Sequence, residues 1–185
     1  MSEYTTKLSR VLEFWFEELD HTDWFNGGKE LDKQIRERFL DTHHSVAAGE
    51  YWKYRTSPES LLAEVIVLDQ FSRNIFRNTS EMFAYDHMAL TLAQQAIIAG
   101  YDQELPVAQR AFLYLPFMHS ESPVIHLEAL RLFEGLGSDE HLKYEKIHKD
   151  IIDRFGRYPH RNRVLGRPNT AEENEYLETN QEDFF

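Results

Sequence analysis

The sequence predicts an all-α protein. Apolar residues recur at helical spacing in segment after segment. Glycines, prolines and capping residues break the chain at helix-length intervals, and no stretch alternates with the period of a strand. Leu8, Val11, Leu12, Trp15, Phe16 and Leu19 place a first helix over about residues 5–19. DWFNGGKE reads as a turn, with Gly27-Gly28 as the breaker. Leu31, Ile35, Phe39 and Val46 mark a second helix ending at Gly49. Thr56-Ser57-Pro58-Glu59 opens a third: a cap, an early proline and Glu59 three residues after Thr56. It runs to about Ile75. Ser80 opens a fourth, which Gly100 closes as a residue beyond the C-cap. Pro106 begins a fifth with Pro116 inside it, which should kink or end the helix there. The sixth covers about residues 123–134, and Ser138 caps a seventh that stops at Gly156. Thr170 with Glu173 reads as a capping box for a short last helix.

Short connections favour antiparallel neighbours. The expected architecture is helical hairpins stacked as a tetratricopeptide-like α-α superhelix or an irregular bundle, with seven to eight helices. A chain of 185 residues is read as a single domain, 1–185, whose end, 171–185, is an acidic C-terminal segment. Residues 170–185 hold six acids and no Lys or Arg, half of the formal net charge of -12. The absence of cysteine excludes disulfides, thiolate chemistry and Cys-ligated metal. No long apolar run marks a signal peptide or a membrane span, so the expectation is a soluble, cytoplasmic protein that meets no membrane. Its charge repels nucleic acid. Oligomeric state is not readable.

Against that negative background, RFGRYPHRNRVLGR (154–167) holds five arginines, one histidine and no acid. Arg makes planar, bidentate contacts to carboxylate or phosphate that Lys cannot copy. The segment 156–169 is the one long irregular stretch, and long ordered loops are often functional. Its arginines can reach inward to the protein's own acids, such as Asp69 and Glu121, or leave donors free for an external anion; a mixture is expected. Arg154, on a last helical turn, also suits the helix dipole.

Other polar groups stand where apolar ones belong. Asp69 and Arg73 fall on the apolar arc of Leu62, Val65, Ile66 and Phe76, four residues apart with the acid first. They make either a buried pair that fixes packing or the charged floor of a pocket. His119, Ser120 and Glu121 follow Pro116 and serve as a helix end or as proton carriers. His141, Glu145 and His148 share the spacing i, i+4, i+7; an ordinary helix surface is favoured there over a metal site. In that reading His148 faces inward and Glu145 lies at the solvent border.

The strings LDQFSRNIF (68–76), MFAYD (82–86), FLYLPFMHSE (112–121) and RFGRYPHRNRVLGR with PNTAEE (154–173) resemble the hallmarks of the domain of unknown function 924 family. The resemblance runs from the first helix to Leu177. It implies a tetratricopeptide-like all-α fold and carries no established activity. Its signature positions would be Asp69, Gln70, Arg73, Asn74, His119, Ser120, Glu121, His148, Arg154, Gly156, Arg157, Pro159, His160, Arg161 and Asn162. Two departures stand out: the family pattern has Pro where Ser72 stands and Gly where Asn78 stands.

Together these residues suggest one concave site lined by Asp69, Arg73, His119, Glu121, His148, Arg157, His160 and Arg161. In it Arg73, Arg157 and Arg161 would hold an anion. The leading function is a helical scaffold binding a small anionic molecule or an acidic peptide. One alternative is an acid–base enzyme of hydrolase type using His119, Glu121 and His160 as catalytic candidates. Another is a purely structural polar network. No cofactor, metal or nucleotide is expected, since there is no Gly-rich phosphate loop, nucleophile elbow or HExxH.

Overall fold

A computed structural model describes residues 3–179. Residues 180–185, the end of the acidic segment, lie outside the described residues. Among the described residues the chain is all-α, with no strand. Its helices are α1 (Glu3–Glu13), extended by a π turn at Phe14–Glu18; α2 (His21–Asn26); and α3 (Gly28–Ala47). Then comes α4, continuous through Pro58–Ile66, a π segment Val67–Phe71 and a last turn Ser72–Ile75. It is followed by α5 (Asp86–Ile98), α6 (Val107–Met118), α7 (Pro123–Leu136), α8 (Asp139–Phe155), α9 (Asn162–Leu165) and α10 (Ala171–Thr179).

That makes ten helices among the described residues, against the seven to eight expected. One addition is α2, where a turn was read. The Asp20 side chain accepts from the Thr22 and Asp23 amides, and Asp23 returns a bond to the Asp20 amide. This capping box nucleates a helix ahead of the glycines. The other is α9, inside the stretch 156–169 that was expected to be irregular.

The start of α4 also differs in detail. Its cap is Ser57 paired with Ser60, not Thr56 with Glu59. Pro58 stands in the first turn, where a missing amide hydrogen is no loss. From Pro58 to Ile75 nearly every side chain is buried, so α4 is the central rod of the fold. It packs against α1, α3, α5 and α6. Leu61, Leu62, Val65, Ile66 and Leu68 are fully enclosed, each such side chain contributing about 1.5–3 kcal/mol. Phe14, Trp15 and Phe39 close around its Phe71, and Phe112 meets Trp15, in edge and tilted ring contacts.

The two departures from the family pattern have local explanations. Asn78 has φ 65°, the left-handed region that favours Gly and, next, Asn. Ser72 continues the helix, and its hydroxyl lies 2.8 Å from Nε2 of the buried His43.

Beyond α6, consecutive helices pack as neighbours: α6 on α7, and α7 on α8. A small second apolar cluster forms from Ile151, Ile152 and Tyr158, with Phe155 and Tyr176 packed on it. It seats the Arg-rich segment and α10 against α8. Gly156, at φ 67°, ends α8 and lets the chain turn back toward the end of α6.

Candidate functional site

The π segment at Val67–Phe71 matters first. A π turn shifts the phase of every residue after it and is common at functional sites. Here it carries Asp69, and Arg73 follows one turn later. Both are buried. Asp69 Oδ1 lies 2.8 Å from His119 Nδ1 and 3.1 Å from Arg73 Nη1. Its Oδ2 accepts from Gln70 Nε2 at 2.5 Å. Arg73 also donates to the Asp69 carbonyl at 2.5 Å. It grips Asp86, the first residue of α5, with Nη1 and Nη2 at 3.0 and 3.1 Å.

Arg161 comes from the far end of the chain to the same carboxylate. Its Nη1 is 3.3 Å from Asp86 Oδ2, and its Nη2 donates to the His119 carbonyl at 3.0 Å. The guanidinium lies over Phe83 and Tyr158, 4.5 and 4.6 Å from the ring centroids. Asp69, Arg73, Asp86, His119 and Arg161, from four separate segments, thus form one connected network.

This network underlies a pocket of about 340 Å³. Ser80, Asp86, His87, Thr91, His119, Ser120, Glu121 and Arg161 give its polar wall; Phe83, Leu90, Pro116 and Leu165 give its apolar one. Asp69 and Arg73 sit behind the wall rather than in it. Since His119 spends Nδ1 on Asp69, Nε2 is the ring nitrogen that remains for the pocket.

Burial alone would raise the Asp69 carboxyl, but Arg73 and His119 outweigh it and hold it far below the ordinary range. Burial lowers the His119 imidazole, and Asp69 offsets this only in part. The balance favours the neutral imidazole. Burial lowers Arg161 too, against the pull of Asp86. Burial alone would raise Glu121, but Arg167 and the Tyr158 amide bring it down.

The remaining residues of the expected site lie elsewhere or are already engaged. Glu121 is in the wall, but Arg167 binds both its oxygens at 2.7 and 2.9 Å and the Tyr158 amide donates to it at 2.7 Å. It is an ionised anchor for the Arg-rich segment. Arg157 faces Glu173, with bonds of 2.6 and 2.8 Å, and the Pro168 carbonyl. It ties that segment to α10, whose Thr170–Glu173 capping box is formed, and it does not line the pocket. Arg154 pairs with Glu172 at the surface. His148 packs edge-on against Tyr158 and bonds the Tyr144 carbonyl. His160 packs on the same ring at 5.4 Å. Burial holds both histidines down to about 3. Neither lines the pocket.

So the arginine cluster mostly meets the protein's own acids. Only Arg163, exposed, makes no ion pair among the described residues. Asp86 occupies the fork of Arg73 and Glu173 that of Arg157, against the expectation that these two hold an anion; Arg161 meets Asp86 at a single 3.3 Å contact and stands in the pocket wall.

Sequence reasoning missed two groups. Asp86 was quoted in MFAYD but given no role. An acid at a helix start is usual, so nothing marked it. His126 was overlooked, though it falls on the apolar arc of Ala129, Phe133 and Leu136. It is fully buried, as is its partner Glu145, with Nδ1–Oε1 at 2.8 Å. Glu145 is therefore not at the solvent border. Glu145 bonds His126, His148 bonds Tyr144 and His141 bonds Ser138. Among the described residues no group of three such side chains could hold a metal ion.

A family model of bacterial proteins of unknown function, DUF924, matches residues 11–181. The chain belongs to the DUF924 family. It is also similar to a solved structure, the protein of unknown function ATU0120 from Agrobacterium tumefaciens. The two share 37% identity over 96% of this chain and 99% of that one, with a TM-score of 0.91. No curated protein matches the chain. No helix is long and apolar enough, among the described residues, to cross a membrane. In this DUF924 chain the family-like strings at 68–76, 82–86, 112–121 and 154–173 are the segments that meet at the pocket and its anchors.

Proposed function

We propose that the recess is a small-molecule site in a stacked-hairpin, tetratricopeptide-like scaffold. His119 Nε2 is the ring nitrogen that meets the ligand, and Arg161 is the cation beside it. One observation carries the reading: Asp69 holds His119 by Nδ1, and the same ring lines a 340 Å³ pocket whose wall also contains Arg161. The ligand class is a small acidic molecule. An acidic peptide is less suited, because Asp86 and Glu121 stand in the wall and the space is small.

Acid–base catalysis is the second reading, favoured by the same pair. A buried carboxylate that fixes the tautomer of a histidine is how a general base is prepared. In that reading His119 is the base and Arg161 meets developing negative charge. Glu121 is an anchor and His160 is outside the pocket, so neither takes part.

Thermal-shift measurements with a panel of small carboxylic acids, phosphates, amines and alcohols test the site. Acids should raise Tm in the wild type and not in His119→Gln. Equal shifts in both proteins, or none from any acid, contradict the proposal. Hydrolysis of p-nitrophenyl esters, lost in His119→Gln, tests the catalytic reading.

A further inference from the structure

The charges around the recess favour a particular occupant. The carboxylates of Asp69 and Asp86 are balanced by the guanidiniums of Arg73 and Arg161. Glu121 is balanced by Arg167. With His119 neutral, the site carries no net formal charge. Yet Arg161 is incompletely satisfied. It is 5% exposed and its Nε has no hydrogen-bond partner. Its one acid, Asp86, is held bidentately by Arg73 and meets Arg161 only at 3.3 Å. A guanidinium has five donors, and most of these are unspent.

Resting on the reading above, we infer that the recess takes up a small organic carboxylate together with one proton. The proton comes from solvent to His119 Nε2, and the carboxylate settles between that imidazolium and Arg161. Anion and proton enter as a neutral sum, so the local balance is kept in a site where an uncompensated charge is costly. A phosphate dianion would leave a surplus negative charge beside Asp86 and Glu121. Phe83, Leu90, Pro116 and Leu165 suit a hydrocarbon body behind the carboxylate.

The charged groups facing His119 set the sign of this coupling. They are Asp69 and Arg73 from α4, Asp86 from α5, whose neighbour His87 is the other histidine in the pocket wall, and Arg161 from the turn before α9. Glu121 stands in the same turn as His119, and His148 and His160 lie on the Tyr158 side. Both those histidines are held neutral, so they add no competing charge near pH 7. The ligand carboxylate is the one added anion, and an added anion raises the proton affinity of His119.

The test is titration calorimetry of benzoate and benzamide into the full chain at pH 7.5, in two buffers of different ionisation enthalpy. Benzoate should bind with net proton uptake and about tenfold or more tightly than the neutral amide, the scale of one charge-assisted hydrogen bond. His119→Gln should abolish the proton uptake, and Arg161→Lys should erase the preference for benzoate. Should Arg161→Lys not fold, Ala84→Trp narrows the mouth from an exposed position and must weaken benzoate. Benzoate binding without proton uptake, no binding, or equal affinity for the amide overturns the inference. Amide binding that still requires His119 would leave the small-molecule site standing and remove only its carboxylate class.

Discussion

Two acid–histidine pairs lie near each other in this DUF924 chain, alike in contact and different in surroundings. Asp69–His119 and Glu145–His126 both place a carboxylate oxygen 2.8 Å from Nδ1. Around Asp69 stands Arg73, which keeps the acid ionised. Around Glu145 no guanidinium stands among the described residues. Burial pushes its carboxyl up, with His126 and Lys149 offsetting only part, and its Oε2 has no hydrogen-bond partner. The far nitrogens differ as well. His126 Nε2 is committed to the Ser120 carbonyl at 2.8 Å and lies 3.2 Å from the Tyr158 hydroxyl. His119 Nε2 is left for the pocket. One pair therefore fixes the turn that carries the other. The same two side-chain types give a structural clamp or a chemical group, depending on neighbouring cations and on what the far nitrogen meets.

The largest effect should separate the pairs by charge. Asp69→Asn leaves Arg73 buried with one acid fewer and should cost about 3–5 kcal/mol in denaturant unfolding. Glu145→Gln keeps a hydrogen-bonding group for His126 and should cost only about 1 kcal/mol. Equal losses would erase the distinction between a charge-holding acid and a hydrogen-bonding one.

Acidification sharpens the same contrast. Burial lowers His43 to about 4, and His148 and His160 to about 3. A histidine whose folded pKa is depressed contributes stability above its unfolded value near 6.5, lost as pH falls toward the folded value. Glu145 is raised, so it acts with the opposite sign and gains as pH falls. Tm should drop below about pH 6, the His43 contribution alone being about 3 kcal/mol. In Glu145→Gln the drop should be steeper. An acid limb unchanged by that substitution contradicts the raised Glu145.

His119→Gln alters a bond to the buried Asp69 and should cost about 1–3 kcal/mol while removing ligand response. The smallest effect is expected at Arg154→Ala, whose pair with Glu172 is half exposed on both sides. Such surface pairs contribute about 0.2–1 kcal/mol.

Much of this was legible in the residues. Asp69 and Arg73 announced themselves as charges on an apolar arc, and Gly100, Gly156 and the Thr170–Glu173 box marked helix ends through local backbone chemistry. The meeting of the 119–121 turn with the Arg-rich segment was also readable, as polar stretches with no local partner. What escaped was pairing at a distance. Asp86 looked like an ordinary first-turn acid, and nothing local says that two arginines close on it. His126 and Glu145 sit on different helices, 19 residues apart. The π turn at Val67–Phe71 breaks the 3.6-residue period that the reading assumed. A capping box hidden in DHTD made α2 a helix where two glycines suggested a turn.

The central claim is that Asp69 turns a neutral His119 toward the recess. Long-range proton–nitrogen spectra of histidine-labelled protein at pH 7 read this directly. The account predicts the less common tautomer for His119, with the proton on Nδ1 and a bare Nε2 that gains a proton when benzoate is added. A His119 protonated on Nε2 alone, or charged in the free protein, would contradict it.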